Sequence, residues 1–473
     1  MNASRRQFLR AGSGLLAAAH PLYVGLNAPL ALSLAGLGAM AATGAEAADT
    51  GGYKALVCLF MAGGSDQHNW IVPMDPGGYA DYARVRQELT WPQAKLLALT
   101  STTQGSGRAF GMPLELQPLQ SLYQAGHCAV VANVGPLERP TSKAEFLAGV
   151  GLPSKLFSHN DQQSTWQSLS PEGARSGWGG RMGDVFAAAN QYPVFTAVSA
   201  TGNTAFLTGG NVTQYQVGTD GPLAIGALGT SSIDGSSGAV AELGKILATA
   251  GSGIYQAEYS RTLQRSIDAG GTLRTALIGG AIPALPTAPI ALPSGAALTL
   301  AQDPLARQLH IVAQMIAAAP RLGMRRQVFM VQLPGFDSHS NQMRDQPLSM
   351  ARVANSVAWF FNAMNGVGLG NAVTLFTASE FGRTLVSNGD GSDHGWGSHH
   401  LVVGGAVKGK AIYGDFPVTA LGTATDLGSG RLLPTTAVAQ LAGSLGGWMG
   451  LNATELKTVL PTLGNFGAGP ALF

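Results

Sequence analysis

Asp66, Asp337, His339, Glu380, His394 and His399 all carry oxygen or nitrogen donors, and most stand just past an apolar run of the sequence. Carboxylates mixed with imidazoles suit Zn²⁺, Mn²⁺ or a related divalent ion, and these donors suffice for two. Asp337 and His339 are two residues apart; in an extended chain such neighbours point the same way and can close on one ion. Three of the nine histidines, His394, His399 and His400, fall within seven residues, beside Asp393. The cofactor expected is therefore one or two divalent metal ions, Zn or Mn. Two such ions can hold a phosphoryl group and activate its attacker. His20, His127 and His310 have no such company and read as structural histidines.

A hydroxyl nucleophile and an anion clamp would complete this chemistry. Ser158 precedes Asp161 by three residues, the spacing of a helix cap, and a helix start also favours a nucleophilic hydroxyl or the anion that it attacks. Ser158 is the first choice, with Ser164 and Thr165 as alternatives. Arg383, a turn after Glu380, offers a bidentate grip on a non-bridging oxygen.

Strands must present these groups. Lys54 to Ala62 is apolar on both faces, as a buried parallel strand is, and runs through Gly63-Gly64 towards Asp66. His127–Val134, Gln327–Leu333, Ala372–Ala378 and Leu401–Val403 read as further strands. Asp303–Ala318, Ala351–Met364 and Pro434–Leu451 have helical spacing. In open parallel sheets chemistry collects at the carboxyl ends of the strands, and Asp66, Asp337 and Glu380 stand there. The expected class is α/β, with a mostly parallel central sheet flanked by helices. Residues 192–299, rich in Gly, Thr, Ser, Ala and Pro, read as an inserted cap region, with a long helical stretch over Ala239–Leu277.

Composition narrows the setting. Apolar residues make up 45% and charged residues only 11%, well below the usual quarter. The start, Ser4-Arg5-Arg6-Gln7-Phe8-Leu9, reads as a twin-arginine export signal over residues 1–47, with Ala45-Glu46-Ala47 as the cleavage site. Pro21, Asn27 and Pro29 interrupt its apolar run, which favours cleavage over a retained membrane span. The expected location is periplasmic or extracellular. Beyond residue 47 the chain keeps 25 basic and 25 acidic residues of totals of 28 and 26, so no basic excess recommends nucleic acid as a partner. Cys58 and Cys128 sit inside strand-like runs and read as small buried hydrophobes.

Ala-Gly-Gly-Ser-Asp66, Ser158-His159, Gly-Phe-Asp337-Ser-His339, Ser-Glu380-Phe-Gly-Arg383 and Gly-Ser-His399-His400 occur in an order that resembles an exported bacterial family. It is catalogued as a domain of unknown function (number fifteen-oh-one), and residues 48–473 form the corresponding domain. That family in turn resembles the alkaline phosphatase/sulfatase superfamily. The resemblance implies two divalent metals and a Ser, Thr or formylglycine nucleophile. It also implies metal roles for Asp66, for the pair Asp337 and His339, and for His399. Glu380 falls where the superfamily has an Asp-His pair, but Phe381 follows it; His394 is the candidate for the missing imidazole. The sulfatase signature Cys-x-Pro-x-Arg is absent around both cysteines. The expected function is metal-dependent hydrolysis of phosphate or sulfate esters, on a small-molecule or polymer-borne substrate. The alternative is a non-catalytic periplasmic binding or assembly protein, with a protein partner, that retains the fold and one metal.

Overall fold

The structure is a computed structural model that describes residues 48–100, 103–223, 232, 234–248 and 253–473. The export signal and cleavage site read in residues 1–47 lie outside the described residues. The sequence KALVCLFMA has no polar side chain after its first residue, so it can only be buried on both faces. It does so as β1 (Lys54–Ala62): Ala55, Val57, Leu59 and Met61 enter one core, and Leu56, Cys58 and Phe60 enter another. A sheet with two buried faces sits between layers of helix.

The remaining strands of this sheet, in chain order, are β2 (Cys128–Gly135), β3 (Ala197–Ser199), β4 (Tyr215–Gly218), β5 (Gly221–Pro222), β6 (Arg326–Pro334), β7 (Val373–Ala378), β8 (Ser398–Gly404), β9 (Ile412–Tyr413) and β10 (Thr436–Ala437). They lie in the order β9-β2-β8-β7-β1-β6-β3-β4-β5, with β10 also on β2. All run in one direction except β8 and β5. The expected mostly parallel α/β sheet is therefore present. Because β8 runs backwards, its first residues reach the same edge as the carboxyl ends of β1, β6 and β7.

Five helices matter for the site: α1 (Pro76–Arg86), α2 (His159–Ser168), α3 (Pro304–Ala317), α4 (Gln342–Gly366) and α5 (Val438–Met449). Helix α3 begins where Asp303 accepts the Ala306 N–H at 2.9 Å, and packs against α4 over the first core. Helix α4 starts nine residues before the expected Ala351. Its first turns are polar because Gln342 and Gln346 serve the buried loop after β1, so no apolar period marks them.

The stretch 192–299 contributes β3, β4 and β5 to one side of the main sheet. The helical stretch within it is two helices, Ser237–Ala248 and Ile254–Leu277. Among the described residues, no helix is long and apolar enough to cross a membrane. Cys58 and Cys128 are free and buried, and burial pushes the Cys128 thiol up to about 12.

Candidate metal centre

The chain leaves β1 through Gly63 and Gly64, at φ 121° and 79°. A Cβ on Gly63 would stand 2.3 Å from the Asp337 nitrogen, and one on Gly64 would stand 2.0 Å from the Phe381 ring. Only glycine permits that approach. The loops after β1, β6 and β7 are thereby interleaved. A short hairpin, Arg383–Ser387 with Ser392–His394, follows β7 and turns His394 back over this junction.

Four side chains converge there. His159 Nε2 lies 3.5 Å from Asp337 Oδ2. His339 Nε2 and His394 Nε2 lie 3.3 and 3.4 Å from Asp337 Oδ1, and 2.8 Å from each other. His159, Asp337 and His394 bring donor atoms within 4.8 Å of one another, close enough to hold a metal ion. Around a zinc ion with bonds of about 2.0–2.1 Å, neighbouring donors of a tetrahedron stand roughly 3.3 Å apart.

The other nitrogen of each ring fixes its tautomer. His394 Nδ1 donates to the Phe157 carbonyl at 2.7 Å, His159 Nδ1 to Glu380 Oε1 at 3.0 Å, and His339 Nδ1 to Asp393 Oδ1 at 3.2 Å. In the neutral rings all three Nε2 lone pairs therefore point inward. Two such lone pairs 2.8 Å apart repel unless a cation or proton stands between them. Burial, reinforced by the Arg383 charge, pushes His394 below the usual histidine range despite the Phe157 carbonyl. At Asp337 burial alone would raise the carboxyl, but the bond and charge of Arg383 outweigh it and hold the group below its ordinary value. Neutral imidazoles around a carboxylate are the state that binds metal, so the residues present fit a divalent ion.

Several residues read from the sequence do other work here. Glu380, expected as a ligand, is fully buried; its Oε1 also accepts Gly63 N and Gln163 Nε2, each at 2.9 Å, so it orients His159 from behind. Arg383, expected as a clamp on substrate, is also fully buried. Its guanidinium donates to the carbonyls of Gly64, Ser392 and Gly63 and to Asp337, tying the loops together. Asp66 is buried with its carboxylate bound by Arg86 and Gln342. His399 Nδ1 accepts Asn133 N–H at 3.0 Å, and its ring stacks on Phe416.

Ser158 caps no backbone group. Its hydroxyl instead donates to Asp161 Oδ2 at 2.8 Å, and Lys155 Nζ braces the same carboxylate at 3.4 Å. Sequence reasoning missed His159 as a donor, because no apolar strand precedes it. Its signals were its adjacency to Ser158 at a helix start and the place of Ser158-His159 among the segments of the family resemblance. The Phe381 that breaks the Asp-His pattern packs its ring 5.0 Å from His159 and 4.5 Å from His394, a floor under both imidazoles.

Residues 294–460 match a family described as "Protein of unknown function (DUF1501)". That span contains Asp337, His339, Glu380 and His394 but neither Asp66 nor His159. No curated protein matches the chain. A solved structure similar to it is "Crystal structure of Ps i-CgsB in complex with k-i-k-neocarrahexaose", at 10% identity and TM-score 0.30. The match covers 85% of this chain and 74% of that one, a likeness too remote to align a site.

Proposed function

We propose that this protein is an exported, metal-dependent hydrolase of phosphate or sulfate esters. The observation that carries the reading is the convergence of His159, His339, His394 and Asp337 at a surface that stays open. Side-chain exposure there runs from 22% at His394 to 46% at Asp337. Structural metal sites are closed, whereas catalytic ones keep a position for water or substrate. A divalent ion held by His159, Asp337 and His394, with His339 beside them, would have a position left for the ester, polarise it and lower the pKa of a nearby hydroxyl.

Ser158 is the nucleophile in this reading. It is fixed on both sides, by the Phe157 carbonyl that holds His394 and by His159 itself. As Ser158 Oγ bonds to phosphorus or sulfur, its proton passes to Asp161 Oδ2, and the alcohol leaves on the far side and takes a proton from water. A second water then attacks the seryl ester and gives a proton to solvent, while Asp161 returns its proton to the departing Ser158 Oγ and restores the hydroxyl. The first N–H groups of α2 have no acceptor within the helix and favour an anion at this end. Small-molecule and polymer-borne esters both fit so open a site.

The test is a screen of chromogenic phosphate and sulfate esters with Zn²⁺- or Mn²⁺-loaded protein. Turnover should vanish with chelator and return with metal. Ser158→Ala should abolish it while leaving metal content unchanged and costing at most about 1 kcal/mol of stability, since the hydroxyl makes no cap bond. Full activity in Ser158→Ala would remove the nucleophile assignment. No turnover by metal-loaded wild type would replace the enzyme with a binding or assembly protein.

A further inference from the structure

The structure assigns one metal ion to this chain rather than two, with the Arg86 guanidinium as the permanent cation that neutralises Asp66; this rests on the metal centre proposed above. The sequence offers donors for two ions, so the question is which of them are free to bind. Asp66 is not. Its Oδ2 accepts from both Arg86 Nη2 and Gln342 Nε2, and its Oδ1 accepts His68 N–H at 3.1 Å. Arg86 and Asp66 both have fully buried side chains, and Arg86 Nη1 is held by the Thr384 carbonyl at 3.0 Å. A second metal on Asp66 would leave that guanidinium buried without its counter-charge, a strongly unfavourable exchange.

The neighbouring imidazole is in the wrong tautomer. His399 Nδ1 accepts the Asn133 N–H, so the neutral ring carries its proton on Nε2 and has no second lone pair for a metal. Nε2 is buried without a protein acceptor. His68 donates Nε2–H to the Arg383 carbonyl at 2.9 Å, which leaves it only the Nδ1 lone pair. Glu380 Oε1 is already shared by Gly63, Gln163 and His159. Asp337 differs from all of these: Arg383 binds its Oδ1, while Oδ2 faces His159 across an exposed edge. Among the described residues, one ion therefore has donors that converge, whereas Asp66, His399 Nδ1 and Glu380 Oε1, the donors expected to hold a second, are already engaged.

Elemental analysis of the full chain, loaded with Zn²⁺ and desalted, tests this directly. One ion per chain is expected. Asp66→Asn should keep one ion with affinity within about threefold of wild type, while Asp337→Asn should bind at least about tenfold more weakly. Should Asp66→Asn not fold, the wild-type stoichiometry decides alone. Two ions per chain would overturn the inference. No ion at all would overturn both it and the metal centre. One ion without ester turnover would uphold it while removing the hydrolase.

Discussion

The inward lone pair of His159 depends on one carboxylate. Glu380 accepts its Nδ1–H at 3.0 Å from a fully buried position. Glu380→Gln keeps an acceptor oxygen and should leave metal affinity within a few-fold of wild type. Glu380→Ala frees the ring to flip or change tautomer and should weaken binding by about 10–100-fold. Titration against a competing chelator measures both variants; equal affinities would remove the positioning role. A second residue-scale consequence concerns acid. Burial pushes His400 from 6.5 down to about 3, so as pH falls the unfolded chain takes up that proton first. The stability tied to the neutral ring is complete above pH 6.5 and is lost between 6.5 and about 3, at up to about 1.4 kcal/mol per pH unit. Chemical unfolding of wild type and His400→Gln across that range should show a shallower acid slope in the variant. Parallel slopes would contradict the assignment.

At the scale of elements, the site exists because three strand-end loops cross at Gly63 and Gly64. Gly63→Ala brings a Cβ within 2.3 Å of the Asp337 nitrogen at a φ of 121°, so either that loop or Asp337 must move. Loss of stability by about 1–3 kcal/mol, together with loss of metal affinity, is expected; a variant with wild-type melting and binding would show that the crossing is not needed. The strands themselves were legible. The sequence reading of Lys54–Ala62 matches β1 residue for residue, and Asp337 with His339 follow β6 as their spacing suggested. Apolar runs are read well because burial on both faces leaves no other choice. What the sequence hid were polar elements whose partners lie far along the chain. The first turns of α4 look like loop until Asp66 is seen accepting from Gln342. Asp66, Arg383 and Glu380 have the right residue types, but whether such a group faces solvent or a buried partner is decided by a contact dozens to hundreds of residues away. His159 is legible only through its neighbour, since its role depends on Phe157 and Glu380 holding two rings at once.

For the molecule as a whole, the hairpin after β7 brings His394 over the edge shared by β1, β6 and β7, where the reversed strand β8 begins. The donors thus come from three separate parts of the chain, around residues 159, 337–339 and 394. A metal ion bound to all of them would tie those parts together, and at a hundredfold excess over Kd it should raise stability by about 2.7 kcal/mol. Calorimetry with and without Zn²⁺ would show this as a higher Tm, and an unchanged Tm would argue against binding to the folded state. The measurement that bears most directly on the account is the metal content of His159→Ala, since that residue joins the centre only through the fold. Purified beside wild type from the same medium, the variant should lose most of the divalent metal that wild type retains, as should the Asp337→Ala/His339→Ala double variant. Equal metal content in wild type and His159→Ala would contradict the centre.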